Sequence, residues 1–170
     1  MKKRRRGQIQ TQVFVYILSL VLASLLLVYG YNAIRTFNEQ SKFVELLRFM
    51  IDVKNDVKEI KSSYGDADLK SVIIPDGYKE LCFVSTNAIG NPLFDVEDHP
   101  LIKDSVRDGA SQNVFMIDQN TKITKHAFYV GNISIRIDDT DHDYYCFKVN
   151  GGIVKVKLEA LGDRVRVSDW

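Results

Sequence analysis

The first 74 residues contain no proline, and the first 38 contain neither aspartate nor glutamate. Nothing in that stretch forces a helix to stop, and its only charges ahead of Glu39 are positive. Between Gly7 and Ile34 there is no charged residue of either sign. Cysteine is scarce, with two in the chain and no C-x-x-C spacing, which removes the usual frameworks for structural zinc. No H-E-x-x-H, nucleophile elbow or phosphate-cradling glycine loop occurs, so the common hydrolase and nucleotide-binding signatures are missing. Outside Lys2–Arg6 the basic residues form no concentrated stripe, which argues against a nucleic-acid partner.

The 170-residue chain has room for one membrane segment and one modest domain. Its net charge of +1 conceals a split. Five cations lie in Lys2–Arg6, which leaves 18 cations against 22 acids in the remainder. A basic stub, an apolar run and a mildly acidic remainder form a membrane-topology pattern, with the stub in the cytoplasm and the remainder outside. The run Val13–Tyr31 is interrupted only by Ser19, Ser24 and Gly30. At helical rise it spans roughly 28 Å, close to a bilayer's hydrocarbon thickness. A cleaved secretory signal would have a shorter apolar region followed by small residues, whereas Tyr31 stands two positions before Ala33. Tyr29 and Tyr31 suit the far interface and Tyr16 the near one.

Beyond the apolar run the pattern remains helical. Phe43, Leu46, Met50, Val53, Val57, Ile60 and Tyr64 recur in steps of three and four, with charged residues on the other faces. Gly65 offers a stop. The spacing predicts one helix from about Gln8 to Ser63, roughly 80 Å long. Its amphipathic half either covers the outer domain or associates with copies of itself.

A basic stub, an Arg–Gly junction at Arg6–Gly7, a mostly polar stretch from Gln8 to Gln12 and a half-apolar, half-amphipathic helix together resemble the type IV pilin superfamily. The match is closest to archaeal prepilins and archaellin-like subunits with class III signal peptides, and it covers about the first 64 residues. The resemblance implies that a prepilin peptidase cuts between Gly7 and Gln8. It also implies that the greasy helix stays on the mature protein, first in the bilayer and then in a filament core. Gln8 matches the glutamine favoured at the first mature position. Gln12 stands where the family often has glutamate, Gln10 where serine is common and Tyr16 where leucine is common. Gln12 can accept a hydrogen bond from a neighbour's terminal amine but brings no charge for an ion pair.

After Gly65 the periodicity changes to alternation. Segments at 71–75, 79–85, 113–118, 123–130, 132–138, 144–149, 153–160 and 164–168 read as short strands separated by turn residues. The fold class is therefore α+β: a long N-terminal helix followed by an antiparallel, β-rich, sandwich-like domain. The organisation read from sequence is a stub at 1–12, a membrane helix at 13–31, its amphipathic extension at 32–64 and an extracytoplasmic domain at 65–170. Residues 86–112 interrupt the strands with a short helix at Pro100–Arg107, Asp98 being the candidate cap. Insertions of that length carry either a surface excursion or a binding function.

Candidate sites are few. Cys82 and Cys146, 64 residues apart, both lie in expected strands. They read either as a disulfide, worth about 3–4 kcal/mol as a long-loop crosslink, or as two buried thiols. His142 near Cys146 lacks the further ligands of a closed zinc site. Asp138, Asp139, Asp141 and Asp143 are weak candidates for calcium, or a solvated acidic turn. Asn132 opens an Asn-Ile-Ser sequon. No cofactor and no catalytic constellation is indicated. The expected function is that of a non-enzymatic, membrane-anchored, pilin-like surface protein. Its partners would be the bilayer, like subunits and the processing peptidase. The alternative is a monomeric surface binding module on an uncleaved anchor.

Overall fold

The computed structural model describes residues 8–121 and 123–170, with side chains from Gln12 onward except Lys122. Gly7 and the Lys2–Arg6 stub lie outside the described residues. The chain is α+β, as its periodicity indicates. Helix α1 covers Gln8–Lys61, and nine strands follow: β1 (Ala67–Ile73), β2 (Tyr78–Val84), β3 (Val114–Asp118), β4 (Thr124–Phe128), β5 (Ile133–Ile137), β6 (Thr140–His142), β7 (Tyr144–Lys148), β8 (Ile153–Ala160) and β9 (Val165–Ser168). A 3-10 turn at Thr86–Ala88 and helix α2 (Pro100–Arg107) lie between β2 and β3. Two compact units meet between Val44 and Glu45, so the last part of α1 belongs to the β-rich unit.

Helix α1 ends two residues before the expected Ser63. Its last turn tightens as the Ser62 and Ser63 amides donate to the carbonyls of Glu59 and Ile60. Gly65, at φ +80°, then turns the chain in a conformation that L side chains resist.

The strands form two sheets. One has the order β1-β8-β9-β5-β6 and the other β4-β3-β2-β7. Most neighbours are antiparallel, but β5 and β9 run parallel, with Ile133 opposite Val165. Alternation shows which face of a strand is dry but not which way its neighbour runs, and that makes the first sheet mixed. Strands β1 and β2 flank the Pro75–Gly77 turn but lie in different sheets, so this turn passes the chain between sheets. Strand β6 occupies part of the acidic stretch 138–143 and pairs with β5.

The main core lies where the end of α1 and both sheets meet. Leu46, Phe49, Val53, Val57 and Ile60 pack with residues such as Leu81, Phe83, Met116, Val154, Leu158 and Val167. Phe49 and Phe128 meet edge to face at 5.9 Å. The expected stripe is thus corrected at three points. Phe43 is 58% exposed, Tyr64 lies past the helix and is 82% exposed, and Phe49 joins the core. Tyr64 misses the core because the helix has already ended; its ring lies against Gly162, where an added Cβ would meet it at 3.1 Å.

Strands β2 and β3 are apolar on both faces. Leu81, Phe83, Val114 and Met116 enter the main core, while Cys82, Val84, Phe115 and Ile117 enter a second one. Ala88, Phe94, Val96, Ile102 and Val106, all from the excursion between β2 and β3, complete the second core. The long insertion is therefore the lid over the outer face of the four-stranded sheet. Asn113 is fully buried: its Nδ2 donates to the Gly131 carbonyl at 2.7 Å and its Oδ1 accepts from the Val130 amide at 3.1 Å. That pair of bonds satisfies a side chain that would otherwise oppose burial.

Ile60 and Ile51 lie on opposite sides of this division, 6% and 56% exposed. Ile60→Ala should cost about 2–5 kcal/mol of unfolding free energy. Ile51→Ala should change it by less than about 0.5 kcal/mol. Denaturant titration of the full chain in micelles reads both.

Candidate functional site

Two features carry chemical information: the uncovered surface of α1, and the cross-strand cysteine pair beneath the excursion. In α1, residues 12–29 are all exposed. Leu20, Leu26 and Leu27 each exceed 70% exposure. By length and composition the helix is able to cross a membrane, and none of its most apolar window is buried. About a dozen aliphatic and phenylalanine side chains are involved. At about 1.5 kcal/mol each, wetting them forfeits roughly 18 kcal/mol. That exceeds the usual net stability of a domain, about 5–15 kcal/mol. Burial of this surface in an apolar medium is therefore strongly favourable, and the length and composition of the helix suit a membrane crossing.

The polar groups within the run are satisfied locally. Ser19 Oγ donates to the Tyr16 carbonyl at 2.9 Å, and Ser24 Oγ to the Val21 carbonyl at 2.8 Å. Such back-bonding lets hydroxyls sit in hydrocarbon without an orphaned donor.

A second apolar stripe was missed in the sequence. Phe37, Val44 and Ile51 recur every seven residues, with Leu47 beside them, and all four are exposed. The signal was present but masked by the stronger stripe on the opposite side of the helix. Between Val44 and Ile51, α1 is apolar on both sides.

The cysteines stand directly opposite each other on β2 and β7 and are joined by a disulfide. Cys82 is fully buried and Cys146 half-buried on the edge strand. The same register sets Glu80 opposite Lys148 and Val84 opposite Tyr144. Period-2 alternation therefore places Glu80, Cys82 and Val84 on the face that the excursion covers. His99 is the residue that closes over them. It is the N-cap of α2, with Pro100 following, so Asp98 does not take the capping position. The His99 ring lies edge to face with Tyr144 at 6.2 Å, and its Nε2 is 3.4 Å from Glu80 Oε2. Lys79 Nζ pairs with the other Glu80 oxygen at 2.9 Å. Burial pushes the Tyr144 phenol up, with Asp98 and Glu80 adding to the effect.

The four aspartates separate. Asp138 and Asp139 form the two-residue turn between β5 and β6, both at positive φ (47° and 62°), the geometry of a type I′ hairpin. Asp139 points into solvent near Arg136 at 3.7 Å. Asp141 lies on β6 opposite Arg136, and the Asp143 carbonyl accepts from the Ser85 amide at 2.7 Å. Among the described residues no convergent donor set includes any of these aspartates; the set that exists is Glu80, Cys82, His99 and Cys146. Turn chemistry accounts for the carboxylates at 138 and 139. His142 is exposed on β6, and His126 is half-buried on β4, edge to face with Tyr78 at 6.0 Å. Asn132 is exposed just before β5, and its Oδ1 accepts from the Tyr129 hydroxyl at 3.1 Å.

No family model matches this chain, and neither a curated protein nor a solved structure matches it.

The disulfide closes a separation of 64 residues. The double variant Cys82→Ala/Cys146→Ala should lose about 3–4 kcal/mol of stability under non-reducing conditions at neutral pH, and reductant should lower the parent but leave the variant unchanged. Chemical denaturation with and without reductant reads the difference. Asp139→Gly should gain about 1 kcal/mol, because glycine adopts the left-handed turn without a Cβ penalty and gives up only an exposed ion pair. A loss of stability would show that the Arg136 contact outweighs the turn.

Proposed function

We propose that the chain is a membrane-anchored, non-enzymatic surface subunit of the pilin-like kind, which acts through lateral packing of α1. The observation that carries this reading is the uncovered apolar surface of that helix. Val13–Tyr31 fits the hydrocarbon of a bilayer, and the heptad-spaced Phe37, Val44 and Ile51 fit a second helix beyond it. Lipid holds the first segment. A like subunit covers the second, burying side chains that would otherwise stay wet.

Orientation follows from charge. The cations at Lys2–Arg6 stay in the cytoplasm, and the β-rich unit stands outside, where a disulfide persists. Processing between Gly7 and Gln8 by a prepilin peptidase would free the helix from its stub. Gln12 would then offer an uncharged acceptor to a neighbouring terminal amine. No cofactor enters the mechanism: burial of apolar surface drives assembly and requires only that the helices meet. Asn132, exposed just before β5, would take a glycan on the outer side.

The test has two arms. Mass spectrometry of the native protein should find Gln8 as the N-terminus. Cysteine substitutions at Val44 and Ile51 should give intermolecular crosslinks in membranes, whereas substitutions at the buried Val53 and Val57 should not. An intact Met1 together with purely monomeric products would replace the assembling subunit with a solitary anchored binding module.

A further inference from the structure

The cysteine pair has neighbours that a simple staple does not need. Glu80, Cys82, His99 and Cys146 each bring a ligand atom within 4.8 Å of the others. They come from three separate places in the chain: β2, the N-cap of α2 and β7. His99 is only 8% exposed, and its Nδ1 is buried with no hydrogen-bond partner among the described residues. Native interiors rarely leave such a nitrogen without a partner. The other ring nitrogen faces the Glu80 carboxylate at 3.4 Å. A spacing of 3.4 Å between Nε2 and Oε2 suits two ligand atoms of one tetrahedral ion.

We propose that, in the reduced chain, Glu80, Cys82, His99 and Cys146 bind a thiophilic divalent cation such as zinc in a tetrahedral site, the disulfide being the oxidised, metal-free state of the same residues. Two sulfurs, one nitrogen and one oxygen match zinc's borderline-soft preference. Tetrahedral zinc with bonds of about 2.3 Å to sulfur needs the two sulfurs about 3.8 Å apart. The Cα atoms of Cys82 and Cys146 are 3.9 Å apart, so once the bond between the sulfurs is broken, rotation of the two side chains opens that spacing. Charge also closes. Two thiolates and one carboxylate against a divalent ion leave one negative charge, and Lys79 Nζ, 2.9 Å from Glu80, answers it. Solvent reaches Cys146 along the free edge of β7, beside a groove of about 680 Å³ that Cys146 itself lines.

The chemistry balances in two steps. A dithiol donor gives two electrons and two protons to the sulfur–sulfur bond and leaves as its own disulfide, and both cysteines become thiols. The metal then displaces the two thiol protons into solvent. Oxidation expels the ion by removing half of its ligands. The proposal concerns the β-rich unit alone and does not depend on membrane anchoring or assembly.

Cobalt(II) is the probe, because its thiolate complexes are coloured. The full chain in micelles is reduced with a phosphine in denaturant, refolded without oxygen, and titrated with cobalt(II) alone. The expected result is a thiolate-to-cobalt charge-transfer band and tetrahedral visible bands that saturate at one equivalent. Zinc should bleach these bands and protect both thiols from alkylation. Glu80→Gln and His99→Ala should each weaken cobalt binding by about 10–100-fold. His142→Ala should leave it unchanged. If the reduced chain refolds only when zinc is present, the site is supported through its coupling to folding. Absence of the charge-transfer band overturns the proposal, as does binding indifferent to both Glu80→Gln and His99→Ala. So does a reduced chain that stays unfolded with zinc.

Discussion

Strands β2 and β3 are dry on both faces, and the β-rich unit is organised around that constraint. A half-buried antiparallel sheet needs one cover, but this one needs two. Leu81, Phe83, Val114 and Met116 require an apolar layer on one side, and Cys82, Val84, Phe115 and Ile117 require another on the opposite side. The chain supplies the covers from different places. The final four or five turns of α1 and the five-stranded sheet close the first face. The excursion between β2 and β3 closes the second. The excursion is thereby committed to packing. Its straps show the same commitment: the Arg107 guanidinium donates to the Phe94 carbonyl at 2.7 Å, Lys103 pairs with Asp95 at 2.6 Å, and Thr86 Oγ1 accepts from the Ile133 amide at 2.9 Å.

What could be read from the sequence follows from which physical signals are local. The long helix, its stop near Gly65, the alternation of β8 and the helix at Pro100–Arg107 each rest on residues close together in the chain, and each stands where its periodicity places it. Sheet membership rests on distant pairings, and neither the parallel β5–β9 contact nor the crossing at Pro75–Gly77 leaves a local mark. The residues around the cysteines divide in the same way. Glu80 was readable in principle, since it shares a face with Cys82 by alternation. His99 was not, because only the folding of α2 back over β2 brings it there. His142, near Cys146 in sequence, lies instead on β6 in the other sheet. The acidic run around Asp138 was ambiguous because aspartate serves both metal ligation and left-handed turns. The φ angles at 138 and 139 assign it to the turn.

The two apolar stripes of α1 show why a helical pattern alone does not reveal its partner. Leu46, Phe49, Val53, Val57 and Ile60 are buried within their own chain. Phe37, Val44, Leu47 and Ile51 have comparable character and are exposed. A helix needing only to cover one domain would carry charge on its outer side, as α1 does after Ile51, where Asp52, Lys54, Lys58 and Glu59 are all exposed. Apolar side chains on that side from Phe37 to Ile51 therefore follow a different requirement from those toward the helix end. The character of the outer side thus changes within one element, from apolar between Phe37 and Ile51 to polar beyond it.

The second core is the smaller of the two, and its covalent link sits where packing alone contributes least. Helix α2 has eight residues, shorter than helices that persist without tertiary support, and its N-cap makes no side-chain capping bond. Its hold on β2 depends on Ile102 and Val106 below and on the His99 corner at its start. The edge strand β7 is paired on one side only, with β2. Tying Cys82 to Cys146 fixes that edge to the centre of the sheet, directly beneath the same corner. Whatever changes the state of the two sulfurs acts on the edge strand and the short helix together, because His99, Tyr144 and Glu80 bridge them. The least self-sufficient elements of the unit thus meet at one covalent anchor, while the main core lies on the other face of β2.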